Sequence, residues 1–497
     1  MSGTNLGLSE ILAVVCFALY WAAVEVLRRR GTLEKFNVSS IGPILMIRTT
    51  KGLKVLEAIS KPKKFWRTIA TLGILAVFLG MAFMFSLILI MDYVMFTNPP
   101  KPSPATNPRN ALLIPGINQF IPLVWGLIGL IVTLVVHEFS HAILCRVEGV
   151  RVKALGVILA LIPIGGFAEP DEKELMDEKK LRRIQRIRIF SAGIISNFIV
   201  AFIAFLAFFY LLGFLQPHAI VMVSNVKGVE NGSVILSING IPVYDESDLK
   251  KALSLGNAIT VRLENGKTLT LEKVAGVYVA GVLKGYPAEK AGIKVGDVIL
   301  AVNGIPTPTV GDFIKVMLNT TPNETATVTL FHDGKKENVK MTLARKGDHG
   351  FMGVLIGGDY VSGLVLGYSG RLLESLRNVP KSLADVRGWL YVVAMPFMFQ
   401  GFSGEVMKFF TPKILGNWLF YILNTLYWVG WINFYVGLFN CLPAVPLDGG
   451  RVLQEVLTAV FRGEKGKEIS AMVVKSLAMV VFLSIILSIL IPNLRFI

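Results

Sequence analysis

Two histidines and a glutamate, His137-Glu138-Phe139-Ser140-His141, stand inside an apolar run from Phe120 to Cys145. On a helix, positions i and i+4 share a face, so both imidazoles point one way with a carboxylate beside them. That set of groups suits a hydrolytic zinc and its general base. The apolar setting adds weight. An ionisable residue near the bilayer centre costs about 2.5–3.5 kcal/mol, so such residues persist where they act. Of the five histidines, only His137 and His141 fall in apolar segments. At 1.5 Å per residue, Phe120 to Val136 cover roughly 25 Å of a ~30 Å hydrocarbon core. The expected chemistry is metal-dependent hydrolysis below a membrane surface, toward the inner face.

Two imidazoles leave a catalytic zinc one protein ligand short. Asp448 is the candidate, in Asn440-Cys441-Leu442-Pro443-Ala444-Val445-Pro446-Leu447-Asp448-Gly449-Gly450-Arg451. It follows an apolar stretch, and two prolines break the helix before it. Broken backbone at membrane depth is useful only where it lines a site. From the residues alone, Asp448 reads equally well as a helix N-cap. Cys145 lies four residues after His141 and shares its face, as a small buried thiol or a further ligand.

The elements that position these groups are legible in composition. Of 497 residues, 53% are hydrophobic and 17% charged, with mean hydropathy +0.60. That is too apolar for a soluble protein and too charged for membrane throughout. The net charge of +16 gathers at Arg28 to Arg30, Lys61 to Lys64 and Lys179 to Arg188, beside apolar runs. Positive-inside loops look like this, and no basic–aromatic stripe speaks for nucleic acid. Three cysteines without paired spacing give no disulfide framework.

The expected fold is an α-helical polytopic membrane protein of about six transmembrane helices with a re-entrant hairpin and an inserted β-rich region. The spans are Leu8–Leu27, Thr68–Phe96, the helix of the histidines, Ile189–Phe214, Leu419–Leu442 and Ile469–Ile491. Arg151 to Glu169 is apolar but interrupted by Pro163 and by Gly165-Gly166, and reads as the hairpin covering the site. Leu390 to Phe402 reads as a membrane-surface segment. Asn197, in a span beside Ser191-Ala192-Gly193, offers an amide at membrane depth, either as interhelical glue or at the site.

From His218 to Arg345 the pattern changes to short apolar runs, Asn-Gly turns and charged strands. Gly232-Ser-Val-Ile-Leu-Ser-Ile-Asn-Gly-Ile-Pro242 recurs as Gly296-Asp-Val-Ile-Leu-Ala-Val-Asn-Gly-Ile-Pro306, an offset of 296 − 232 = 64. The repeats resemble PDZ domains of the bacterial protease type. The second is the fuller match, with Tyr286 to Asp297 ahead of its strand. Such domains capture peptides as an added strand. A spacer or steric filter is the alternative role.

The histidine motif, the stretch from Asn440 to Gly449 and the PDZ-like insert between them resemble the site-2 protease family of intramembrane zinc metalloproteases. The likeness runs from about Phe120 to the C-terminus. It implies Zn2+ held by His137, His141 and Asp448, with Glu138 as catalytic base. It implies that Gly165 and Gly166 belong to a membrane-associated hairpin, and that Asn440 and Asn197 contact substrate. In the family an asparagine follows a Gly-Pro, whereas Gly193 here precedes Ile194. The implied organisation is two leading spans with loops (1–116), the first half of the protease core (117–217), PDZ-like repeats (218–275 and 276–345) and the second half (346–497). Partners would be transmembrane protein substrates, the lipid bilayer and peptide tails, with no nucleic acid. The location would be the cell membrane, with the repeats outside the cytoplasm. Two further readings use the same residues: a catalytically silent PDZ-bearing scaffold, and a non-proteolytic membrane metalloenzyme, since two histidines and a carboxylate also suit ferrous iron.

Overall fold

The computed structural model describes residues 8–50, 52–101, 103, 106–110, 114–160 and 162–494. The chain forms two compact units. One comprises Met1–Phe208, Val393–Gly401 and Asn424–Ile497, and the other Phe209–Val392 and Phe402–Leu423.

The first unit is built on α1 (Leu8–Arg29), α2 (Lys63–Thr97), α3 (Leu123–Glu148), α4 (Arg183–Leu211) as far as Phe208, α5 (Trp418–Asn440) from Asn424 on, α6 (Asp448–Val460) and α7 (Gly463–Leu494). Helices satisfy their own backbone polar groups, which is why long apolar runs take this form in lipid. Among the described residues, four helices are long and apolar enough to cross a membrane: Lys63–Thr97, Leu123–Glu148, Arg183–Phe214 and Gly463–Asn493. They include four of the six expected spans. The other two expected spans are also helical, as α1 and α5, but are not among these four. Helix α5 carries Asn424 and Asn433 and several Tyr and Trp residues, which lower its hydropathy.

Ion pairs on two carboxylates, Glu148 and Glu455, tie these helices together. Glu148, at the end of α3, accepts from Arg67 of α2 (3.0 Å) and from Arg188 of α4 (3.1 Å), and its side chain has no exposed surface. Arg186 of α4 makes a two-pronged bond to Glu455 of α6, at 2.7 and 2.8 Å. Removing Arg186 leaves the Glu455 carboxylate without this partner, at a cost of about 3–5 kcal/mol for a buried pair, whereas Glu148 keeps one arginine when the other is lost.

The run expected as a re-entrant hairpin is a β-hairpin of β3 (Val152–Ala160) and β4 (Ile162–Pro170). It is half of a four-stranded antiparallel sheet. The other half, β1 (Val38–Ile41) and β2 (Ile44–Thr49), comes from the N-terminal region read as spans and loops. The sheet order is β1-β2-β3-β4, so β4 is an edge. The signal for β1 and β2 is two short β-branched runs about Gly42-Pro43, set among basic segments that read as loop.

The second unit holds an eleven-stranded sheet. Its strands include β5 (Ala219–Ser224), β6 (Val234–Ile238), β7 (Ala258–Leu263), β8 (Thr268–Glu272), β9 (Ala275–Val282), β10 (Val298–Val302), β11 (Thr325–His332), β12 (Lys335–Thr342), β13 (Val354–Val361) and β14 (Leu364–Tyr368). The order is β12-β11-β10-β9-β13-β14-β5-β6-β7-β8. In the second repeat Val277 of β9 lies between Ile299 and Asp359. In the first, Ala219 of β5 lies between Ile235 and Tyr368. Strand β14 therefore stands to the first repeat as β13 stands to the second. The second repeat is nested inside the first, and both close after residue 345.

One polar cluster joins the repeats. Glu246 accepts from Thr309 Oγ1 (2.6 Å) and from the Gly311 N–H (3.1 Å), while Lys250 donates to Asp312 (2.7 Å). Asp359 accepts from the Val310 N–H (2.6 Å) and from the Tyr368 hydroxyl. Burial pushes the Asp359 carboxyl above the usual carboxylate range.

Candidate active site

Helix α3 brings His137 and His141 to one face, and the start of α6 meets them. His137 Nε2 is 3.1 Å from Asp448 Oδ2, His141 Nε2 is 3.0 Å from the same oxygen, and the two Nε2 atoms are 3.2 Å apart. Residue 447, not 448, takes the N-cap position of α6, so the Asp448 carboxylate is turned to the histidines and not to its own helix. Gly449 and Gly450 make the turn possible. A Cβ would lie 2.3 Å from the Cys441 carbonyl oxygen at the first and 2.4 Å from the Ala444 carbonyl carbon at the second. The Arg186–Glu455 pair holds α6 two turns further on.

The three converging atoms fit a metal. Their separations fall slightly under the ~3.3 Å edge of a tetrahedron with arms of ~2.0–2.1 Å, the zinc–nitrogen and zinc–oxygen distances. The donor set of two imidazoles and one carboxylate suits zinc and leaves a fourth position open. His141 Nδ1 is 2.7 Å from the Ile189 carbonyl. A carbonyl only accepts, so Nδ1 carries the proton and Nε2 keeps its lone pair for an ion. Among the described residues, His137, His141 and Asp448 form the group able to hold a metal. Cys145 packs in an apolar cluster with Ile143 and Val452.

Glu138, next to His137 on α3, turns its carboxylate toward β4, where its Oε2 accepts from the Ala168 N–H at 3.0 Å. Ala168 is on β4, and that N–H lies on the strand's outer edge. Gly166 permits the approach, since a Cβ there would be 2.9 Å from Glu138 Cγ. A cavity of 320 Å³ opens beside Glu138, lined by Leu134, Leu155, Gly165, Gly166 and Phe167 among others. The structure thus brings Gly165 and Gly166 to the glutamate. Asn440 is not in the ligand group, and its amide donates to the Val436 carbonyl of its own helix at 3.0 Å. Asn197 lies with its amide 3.1 Å from His137 Nδ1.

Three contributions escape the motif reading. Gly193 of α4 lies directly on the imidazoles, where a Cβ would be 2.5 Å from His137 Cε1 and from His141 Nε2. The run Ser191-Ala192-Gly193 signalled close helix approach, but not what was approached. The Ile189 carbonyl and the Ala168 N–H are backbone groups, which no residue type announces.

The comparisons bear on this geometry. The model of Peptidase family M50 matches residues 125–485, a stretch that holds both histidines and Asp448. An uncharacterized protein of Methanocaldococcus jannaschii is 28% identical over 253 residues, covering 50% of this chain and 64% of that one. A putative zinc metalloprotease of Clostridium perfringens is 27% identical over 210 residues, covering 35% and 63%. The chain spans somewhat under two thirds of the length of these relatives. A solved PDZ domain of a Listeria innocua protein shares 28% identity, covering 16% of this chain and 93% of that chain, with a TM-score of 0.15. The family match takes in well over half of the chain and both arms of the metal-binding group, so the chain belongs to Peptidase family M50.

Proposed function

We propose that the chain is a zinc metallopeptidase that cuts single-span membrane proteins within or near the bilayer. The observation that carries this reading is the meeting of His137 and His141, on a helix apolar enough to cross a membrane, with a carboxylate 307 residues from His141. His137, His141 and Asp448 hold the metal in this reading. Zinc so held supplies a Lewis acid for the scissile carbonyl and acidifies water at neutral pH. Glu138 releases the Ala168 N–H, takes the proton from the attacking water and passes it to the leaving amine. The free edge of β4, with Gly165 and Gly166, offers backbone groups to an extended substrate, and Asn440 offers an amide. A helical substrate has its carbonyls in use, so it unwinds locally, near helix-weakening residues. The nested repeats are PDZ-like. The groove of the second takes peptide tails outside the cytoplasm, with the protein in the cell membrane.

The test is metal analysis paired with a proteolysis assay on purified protein. Wild type holds about one zinc per chain. The variants His137→Ala, His141→Ala and Asp448→Ala lose it. Glu138→Gln keeps zinc and loses a factor of about 10²–10⁴ in rate. Loss of zinc from Glu138→Gln as complete as from the histidine variants overturns the role of Glu138. Iron in place of zinc, or full zinc without cleavage, overturns the peptidase reading.

A further inference from the structure

We propose that Asn197 is a positioning residue for the metal: its amide fixes the ring and tautomer of His137 so that Nε2 is the nitrogen left free. This rests on the ligand set proposed above. It goes beyond it in giving α4 a direct part in metal binding.

Ile189, Gly193 and Asn197 are spaced by four, so they form one stripe along α4. That stripe lies on the ligand pair at every step. The Ile189 carbonyl faces His141 Nδ1, Gly193 leaves room for both rings, and the Asn197 amide faces His137 Nδ1. Asn197 is wholly buried, and its Oδ1 has no hydrogen-bond partner. The two ends of a carboxamide are nearly equal in shape, so either can face the ring. With Oδ1 toward the ring, His137 Nδ1–H donates to it, the orphaned oxygen gains a donor, and Nε2 keeps its lone pair for the ion. With Nδ2 toward the ring, Nδ1 must hold the lone pair and a neutral ring carries its proton on Nε2, facing Asp448. Only the first arrangement leaves a neutral imidazole able to bind metal through Nε2. His141 receives the same service from a backbone carbonyl, and His137 has the Asn197 amide at the corresponding nitrogen. A residue that merely glued helices together would affect stability and leave the metal untouched.

The experiment uses the full chain in detergent, as wild type and as Asn197→Leu, Asn197→Ala and Asn197→Asp. Zinc affinity is read by chelator competition, and site geometry by the visible absorption of Co2+. Asn197→Leu and Asn197→Ala should weaken zinc binding about 10–100-fold, the usual effect of losing a partner behind a ligating histidine. Asn197→Asp should bind within about threefold of wild type and give the wild-type Co2+ spectrum, because a carboxylate also accepts from Nδ1–H. Melting of the metal-free forms separates folding from binding, and Asn197→Ala stands in if the leucine variant does not fold. Wild-type affinity in Asn197→Ala overturns the proposal. So does an Asp variant as weak as the Ala variant. A wild type that binds no zinc would instead be a failure of the ligand set.

Discussion

Glycine serves opposite ends at Gly193, in the first unit, and at Gly240 and Gly304, in the second. In the first it is there for lack of volume. Gly193 is helical, and a Cβ on it would collide with both imidazoles at 2.5 Å. In the second it is there for backbone freedom. Gly240 and Gly304 sit at φ +78° and +76°, each after an asparagine at positive φ, and a Cβ on either would meet nothing within 4 Å. Two successive residues at positive φ make the tight turn whose twist suits a β-hairpin, which is why Asn-Gly appears there. The first kind of glycine answers to a partner 193 − 137 = 56 residues away. The second answers only to its own neighbour.

The largest effect should come from adding one methyl group to the first kind. Gly193→Ala should abolish zinc retention, with affinity down by more than the ~10–100-fold of a change behind a ligand, because the rings themselves must move. The helix should not suffer, since alanine inside a helix gains about 0.5–1 kcal/mol over glycine. Zinc content and the melting temperature of the metal-free protein, measured together, check this. Wild-type zinc content in a folded Gly193→Ala protein would mean that the rings have slack and that the close approach is incidental.

The same methyl in the second unit should do the reverse. Gly304→Ala should destabilise the repeat by about 1–2 kcal/mol, the cost of a side chain in left-handed backbone. Zinc content and cleavage of a substrate without an external tail should stay at wild type. Local hydrogen exchange at β10 and a zinc assay are the measurements. A metal defect in Gly304→Ala would show that the two units do not fail independently.

This contrast also explains what was legible in the chain. Local devices could be read. His137 and His141 share a helix face by spacing alone, and Asn239-Gly240 and Asn303-Gly304 announce their turns. The hairpin of β3 and β4 was visible in the proline and glycines that break an apolar run. Long-range consequences could not be read. Nothing near Gly193 says that it touches His137. Nothing near Val38 says that β1 and β2 extend the sheet of β3 and β4. The nesting of the repeats was hidden because β14, the strand that completes the first, follows the whole of the second. Asp448 was open between cap and ligand because both roles ask for a carboxylate at the start of a helix, and its approach to His141 spans 307 residues of chain.

The smallest expected effect lies in the repeats, where equal spacing carries unequal chemistry. Position 314 in the helix Val310–Leu318 corresponds to position 250 in the helix Glu246–Leu253, since 314 − 250 = 64. Ile314 is 49% exposed and lines a cavity of 190 Å³ with Phe313, Met317 and Phe351. Lys250 is instead engaged by Asp312 at 2.7 Å and by Glu246 at 3.3 Å. The segment His349–Gly353 leads into β13 and helps line the second repeat's groove, whereas β14 follows β13 through Ser362-Gly363 alone. The second repeat therefore has an apolar groove, and the matching helix of the first is committed to holding its neighbour. Ile314→Glu places a charge in that groove and should weaken an apolar tail roughly tenfold, the equivalent of about 1.4 kcal/mol. Stability should change by no more than about 0.5 kcal/mol, because the position is exposed. The measurement is cleavage of one transmembrane sequence carrying either an extended apolar tail or a Gly/Ser tail. Wild type should prefer the first, Ile314→Glu should cut both alike, and zinc content should be the same in each. An Ile314→Glu protein that keeps the preference would remove the groove from substrate selection and leave the second repeat, like the first, a structural part.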